Sequence, residues 1–300
     1  MQNLDFIISQ FDIPEGISAN LEQDGKNGLS QVYFVGEEYV LRGRPINENT
    51  YSDFLIEQNL LNRITDEGLI SPINVPHLIP TKLGKSCFTD GIILWTLATF
   101  IPGDILCGIN DTYKLNKGDK KFYIEGLAEI QQKTKTTELI KSHFCFIEWV
   151  EERYKTVQEY FTPTEQQIIE KTLLEVSKMK DEEMCFVHGD YHPGNILVHQ
   201  NTIKGLIDLD WCHIGSTYED LSFIILVFIR DITQPHFNYS ESAIHELVDL
   251  YPGKVDIQKL KKYILLRGVH DLSFFVPRSG GWMDKMKEIQ LEIIRAILNT

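Results

Sequence analysis

The run Ile101-Pro102-Gly103-Asp104 constrains this chain most, because one hydrophobic pattern ends there and another begins. Proline fixes φ and has no amide to donate, and glycine loses the most freedom on ordering, so neither strand nor helix runs easily through the pair. Before it, short β-type runs at Ile17–Leu21, Gln31–Val35 and Tyr39–Arg42 are separated by Gly25-Lys26-Asn27-Gly28 and by Gly36-Glu37-Glu38. A helix is expected from about Asn49 to Asp66, where Phe54, Glu57, Leu61 and Ile64 recur at spacings of 3, 4 and 3 and share one stripe. Lys85–Thr89 and Ile92–Phe100 read as a hairpin around Asp90-Gly91. After the break, helices are expected near 111–133, 146–161, 164–180, 217–230, 241–250, 256–275 and 282–298. Two β-runs, Ile196–His199 and Ile203–Ile207, interrupt them. The expected class is α+β, with a small strand-rich N-terminal lobe over 1–101 and a larger helical C-terminal lobe over 102–300.

Charge narrows the partners. With 29 basic residues against 43 acidic ones the chain carries −14, which repels phosphate backbones and anionic lipid surfaces. Neither nucleic acid nor membrane is expected as a partner; an acidic surface can favour a cationic substrate, but most acidic enzymes are simply soluble. Cys87, Cys107, Cys145, Cys185 and Cys212 are scattered with no C-x-x-C pair, which points to reduced thiols. No basic segment precedes an apolar one at the start, and the most apolar run, Leu221–Ile229, is too short to span a bilayer. A cytoplasmic protein is expected, as a monomer or a homodimer.

The chemistry concentrates in His188-Gly189-Asp190-Tyr191-His192-Pro193-Gly194-Asn195, followed by Gly205-Leu206-Ile207-Asp208-Leu209-Asp210. An aspartate and, five residues on, an asparagine offer one proton acceptor and one oxygen ligand. A hairpin can return Asp208 to the same mouth. Phosphoryl transfer needs such a set: a group to position the attacking hydroxyl and hard oxygen ligands for Mg²⁺. A metal hydrolase built on His188, His192, His213 and Asp208 is the rival reading, but it leaves Asn195, Arg42 and Glu57 without a role.

These residues resemble a known signature. His188-Gly189-Asp190 to Asn195, then Ile207-Asp208, Gly215 and Asp220-Leu221, is similar to the motif of the aminoglycoside phosphotransferase/choline kinase-like family, small-molecule kinases of protein-kinase-like fold. The resemblance implies that ATP or GTP is the phosphoryl donor and Mg²⁺ the cofactor. It implies that Asp190 is the catalytic aspartate, that Asn195 and Asp208 hold the metal, and that Asp220 braces the catalytic loop. It also places a hinge at Leu97–Gly103, with backbone groups of Thr99 and Ile101 facing the nucleotide base. The acceptor would be a hydroxyl of an aminoglycoside, or of a metabolic alcohol such as choline, homoserine, a hydroxylated amino acid or a sugar. Two features depart from the family: Gln131 stands where many relatives carry histidine, and the glycine loop is short.

Several positions keep two readings. Ser30, with the amides of Gly25–Gly28, covers nucleotide phosphates or closes a plain hairpin turn. Arg42 ends a β-run and would touch the phosphates, with Glu57 as its counter-ion or solvated at the edge of its stripe. Asp210 reaches the metal through water or is solvated at a strand end. His188 packs under the loop and has a structural role, and His192 faces substrate or solvent. Asp220 with Thr217, or Glu219 with Ser216, makes a capping box. Glu152 and Asp271 are substrate candidates, with solvation for the first and an intrahelical salt bridge to Arg267 for the second as the alternatives.

Overall fold

The computed structural model describes residues 4–20, 31–46, 50–135, 145–179, 184–200, 202–230, 240–278 and 282–299. In chain order the first elements are α1 (Leu4–Ile8), β1 (Ala19–Asn20), β2 (Gln31–Val35), β3 (Tyr39–Pro45) and α2 (Thr50–Asp66). Then come β4 (Leu78–Ile79), β5 (Phe88–Thr89), β6 (Ile93–Thr99), β7 (Asp104–Ile105), α3 (Lys117–Thr134), α4 (Phe146–Val157) and α5 (Pro163–Val176). The remainder is β8 (Met184–Val187), β9 (Ile196–His199), β10 (Thr202–Leu206), β11 (His213–Ser216), α6 (Thr217–Ile229), α7 (Glu241–Val248), α8 (Ile257–Phe275) and α9 (Trp282–Leu298). No helix among the described residues is long and apolar enough to cross a membrane.

The chain divides into two compact units. The first comprises Met1–Asp104 and also Ile196–Trp211, so a single cut near residue 101 does not describe it. The reason is hydrogen bonding. Asn74 donates its amide to the Lys204 carbonyl at 2.8 Å and accepts the Leu206 amide at 2.9 Å, pairing the β9–β10 hairpin with the N-terminal segment. An edge strand with unmet backbone groups takes whatever partner lies beside it.

Within this unit an antiparallel sheet runs β1-β2-β3-β6-β4, with β5 also on β6. Its buried side carries Phe11, Val35, Leu41, Trp95 and Leu97, none with exposed surface. Each such side chain contributes about 1.5–3 kcal/mol on burial. The alternation of a strand then sends Leu41 and Gly43 inward and Arg42 and Arg44 to the opposite face. Gly43 is required there, since a Cβ would lie 2.6 Å from the Trp95 ring.

The second unit, Ile105–Asn195 with Cys212–Thr300, is helical. Its axis is α8, buried nearly continuously from Leu260 to Ser273 and packed by α4, α5, α6 and α9. Local sequence sets the helix starts. Asn116 with Asp119, Thr162 with Glu165, and Ser216 with Glu219 form capping boxes that satisfy amides left over in the first turn. Of the two capping pairs open at α6, Ser216 with Glu219 forms the box, and Asp220 has other work. The expected helix 111–133 is two elements, a 3-10 turn over Ile109–Lys114 and then α3, because Asn116 caps the second. The antiparallel pair β8–β11 was not expected.

Candidate active site

In the helical unit the loop after β8 presents Asp190. Gly189 adopts φ +80, in the left-handed region that favours glycine, and so turns the chain out of the strand. Asp220, in the first turn of α6, accepts the His188 amide at 2.7 Å and the Gly189 amide at 2.9 Å. Burial pushes the Asp220 carboxyl up to about 6, against the pull of those two amides. Asn195 donates Nδ2 to the Asp190 carbonyl at 3.0 Å and to its Oδ2 at 3.2 Å. Tyr123 donates its hydroxyl to the Tyr191 carbonyl, and the two rings stack at 4.9 Å. The loop is therefore clamped from both sides while the Asp190 side chain stays 27% exposed.

The histidines of the loop do different things. His188 is buried, and its Nδ1 accepts the Asp190 amide at 3.3 Å. His192 accepts the Gly194 amide through Nδ1 at 3.0 Å and leaves Nε2 3.6 Å from Asp190 Oδ2. Glu152 is exposed on α4. Asp271 is not a surface group, which corrects its place among the substrate contacts. It is buried on α8 and bound by Arg267 Nε at 3.1 Å, by Arg230 at 2.9 Å and by His270 Nδ1 at 3.0 Å. A carboxylate so engaged is held far below its ordinary range, because Arg230 and Arg267 outweigh its burial. Gln131 is buried too, donating to the Thr217 carbonyl at 2.8 Å and accepting the Tyr251 hydroxyl at 2.7 Å.

In the strand-rich unit β10 ends at Leu206, two residues before Asp208, which sits at φ +59. That conformation costs a non-glycine residue of order 1 kcal/mol, and aspartate is among the few residues that adopt it with any frequency. Strain of this kind concentrates at functional positions. Arg42 reaches Asp208 Oδ1 at 2.8 Å and Asp210 Oδ2 at 2.7 Å, and Arg44 reaches Asp210 Oδ1 at 2.7 Å. Burial works against the Arg42 charge, but Asp210 and then Asp208 outweigh it and hold its pKa above the ordinary value.

Asp210 is thus not a solvated group at a strand end: it is the shared counter-ion of two arginines. Arg44 was missed from the sequence, although its i,i+2 spacing from Arg42 places both on one face of β3. The side chain of Glu57 and the whole of Ser30 lie outside the described residues. Thr99 donates its amide to the His77 carbonyl at 2.9 Å and accepts the His77 amide through its hydroxyl at 3.0 Å, so its N–H is spent within the protein. Ile101 is buried. Among the described residues no three His, Cys, Asp or Glu side chains converge as a metal site.

Comparisons with known proteins bear on this arrangement. A stretch of 86 residues is 33% identical to an aminoglycoside 3'-phosphotransferase of Enterococcus faecalis, covering 29% of this chain and 30% of that relative. The fold is shared along nearly the whole length with an aminoglycoside 2'-phosphotransferase solved as its GDP complex, at 17% identity, TM-score 0.67, and 98% and 99% coverage of the two chains. It is shared as well with a microcompartment-associated aminopropanol kinase, at 14% identity, TM-score 0.67, and 99% and 96% coverage. The sequence pattern of the phosphotransferase enzyme family matches residues 21–244, a span that includes Arg42, the Asp190 loop, Asp208 and Asp220. The chain belongs to the phosphotransferase enzyme family.

Proposed function

We propose that this protein is a cytoplasmic kinase that moves the γ-phosphoryl group of ATP or GTP onto a hydroxyl of a small amine-bearing molecule, an aminoglycoside before a metabolic alcohol. The observation that carries the reading is the Asp190 carboxylate, part-exposed on a loop whose backbone is held by Asp220 and Asn195. In this reading Asp190 orients the acceptor hydroxyl and takes its proton, an effect of about 10²–10⁴ in rate. Arg42 meets the nucleotide phosphates.

Mg²⁺ fits the residues present. Asn195 commits Nδ2 to Asp190, which leaves its Oδ1 as a hard oxygen donor, and Asp208 supplies a carboxylate. Two protein oxygens suffice for an ion completed by phosphates and water. The ion would neutralise charge on the transferring phosphoryl group.

Aminoglycosides come first because the E. faecalis relative is named for that acceptor and the chain carries −14, which favours cations. The fold shared with an aminopropanol kinase keeps smaller amino alcohols in view. A nucleotide-consumption screen with ATP and GTP in parallel tests this, run over aminoglycosides, choline, other amino alcohols, hydroxy amino acids and sugars. Mg²⁺-dependent turnover with an amine-bearing alcohol is the expected result. Consumption with neutral sugars alone would overturn the acceptor class, and silence with every alcohol would overturn the kinase reading.

A further inference from the structure

Arg267 on α8 carries more hydrogen bonding than an ion pair needs. Its Nε meets Asp271 Oδ1 at 3.1 Å, and a terminal nitrogen donates to the Gly189 carbonyl at 2.7 Å. The guanidinium carbon also lies 3.9 Å from the centre of the Phe223 ring. Asp271 has a second cation already, since Arg230 sits 2.9 Å from its other oxygen. Two buried guanidinium groups thus share one carboxylate, while His270 against the same carboxylate is kept neutral by burial. A surplus cation in a core is costly unless a further acceptor takes it up. Here that acceptor is a backbone carbonyl of the Asp190 loop.

The bond falls at a particular place. The carbonyl of Gly189 and the amide of Asp190 belong to one planar peptide unit, so fixing the oxygen fixes the plane from which the Asp190 side chain departs. The next plane is fixed by Asn195, which holds the Asp190 carbonyl at 3.0 Å. The preceding one is fixed by Asp220, which holds the Gly189 amide at 2.9 Å. Three side chains from three elements therefore clamp three successive peptide planes. On its amide side the middle plane has the longer, 3.3 Å contact from Asp190 to His188 Nδ1.

We propose that Arg267 is a positioning residue for Asp190, acting through the Gly189 carbonyl, and that Asp271 serves to aim it. The proposal rests on Asp190 as the catalytic carboxylate, and the experiment separates the two ideas. Arg267→Met leaves Asp271 balanced by Arg230, so the core keeps neutral charge, and Arg267→Lys keeps the cation without the fork that reaches two acceptors. Amide hydrogen exchange of the full-length protein is read on peptides covering 186–195. The expected result is at least tenfold faster exchange at 189–192 in Arg267→Met and a smaller rise in Arg267→Lys, with α8 and the N-terminal sheet unchanged. Arg230→Met breaks the same cluster and removes a charge that Asp190 feels, but it leaves the Gly189 carbonyl bound, so exchange at 189–192 should stay well below that of Arg267→Met.

Turnover is measured on the best acceptor of the screen, or on water where none is found. Arg267→Met should lower kcat 10- to 100-fold with the KM for Mg²⁺-nucleotide within twofold. Unchanged loop exchange, or equal acceleration throughout the helical unit, overturns the positioning role. Wild-type kcat in Asp190→Asn overturns the catalytic reading instead, and loop exchange still decides for or against Arg267.

Discussion

Oδ2 of Asp220 lies 2.7 Å from the amide nitrogen of His188, and its Oδ1 lies 2.9 Å from that of Gly189. One buried carboxylate thus takes both donors at the mouth of the Asp190 loop, and needs both oxygens unprotonated to do so. Its carboxyl is pushed up to about 6 by burial. Since the folded value lies above the unfolded one, its contribution to stability is largest below the unfolded value near 3.8 and is lost as pH rises through about 6. His270 has the opposite sign. Burial, and then Arg267, lower it to about 4, so its contribution is present above the ordinary 6.5 and is lost as pH falls towards 4. Each is on the order of 3 kcal/mol, and between pH 6.5 and 4 they offset. We expect kcat to fall on an acidic limb near pH 6 while the unfolding midpoint moves little from these two groups. Asp220→Asn should be slow at every pH and lack that limb. A limb unchanged in Asp220→Asn would assign it to another group.

Asp190→Asn should cost two to four decades in kcat while Mg²⁺-nucleotide still binds. Calorimetry and initial rates on the same preparation separate the two effects. Near-normal kcat removes Asp190 from the reaction.

Asp208 should behave differently. Asparagine tolerates the φ of +59, so Asp208→Asn isolates the charge from the backbone. We expect Mg²⁺-nucleotide affinity to drop at least tenfold, where Asp190→Asn leaves it nearly unchanged. Equal affinity in the two variants would falsify Asp208 as a metal ligand.

Asp210 is expected to matter for stability as well as for the nucleotide. Removing its charge takes one counter-ion from Arg42, which keeps Asp208, and one from Arg44; both lost pairs are 2.7 Å long. With about one-fifth of the Asp210 side chain exposed, Asp210→Asn should destabilise by about 1–3 kcal/mol, below the cost of a fully buried pair. Adding Arg44→Met should recover part of that loss. Denaturant unfolding of the single and double variants gives the coupling, and strict additivity would mean that Arg44 and Asp210 do not interact.

Local pattern was enough for a good deal of this protein. The break at Pro102-Gly103, the span of α9 over 282–298 and the boundary of α6 at a serine cap follow from composition, period and capping chemistry. So does the nearness of Asp190 and Asn195, because the two stand five residues apart in one loop. Partner choice was not legible. The pairs of Arg42 with Asp208, 166 residues away, and with Asp210 carry no local signature, while the Glu57 side chain that the stripe of α2 suggested lies outside the described residues. Arg267 was read against Asp271 one turn along its own helix, and its second bond goes to a carbonyl 78 residues earlier. The strands β8 and β11, four residues each, are too short to show a period and exist because they pair with one another. Periodicity reports which side of an element avoids water. Which charge meets which, and which unit claims the β9–β10 hairpin, depends on distances through space that only the packed chain sets.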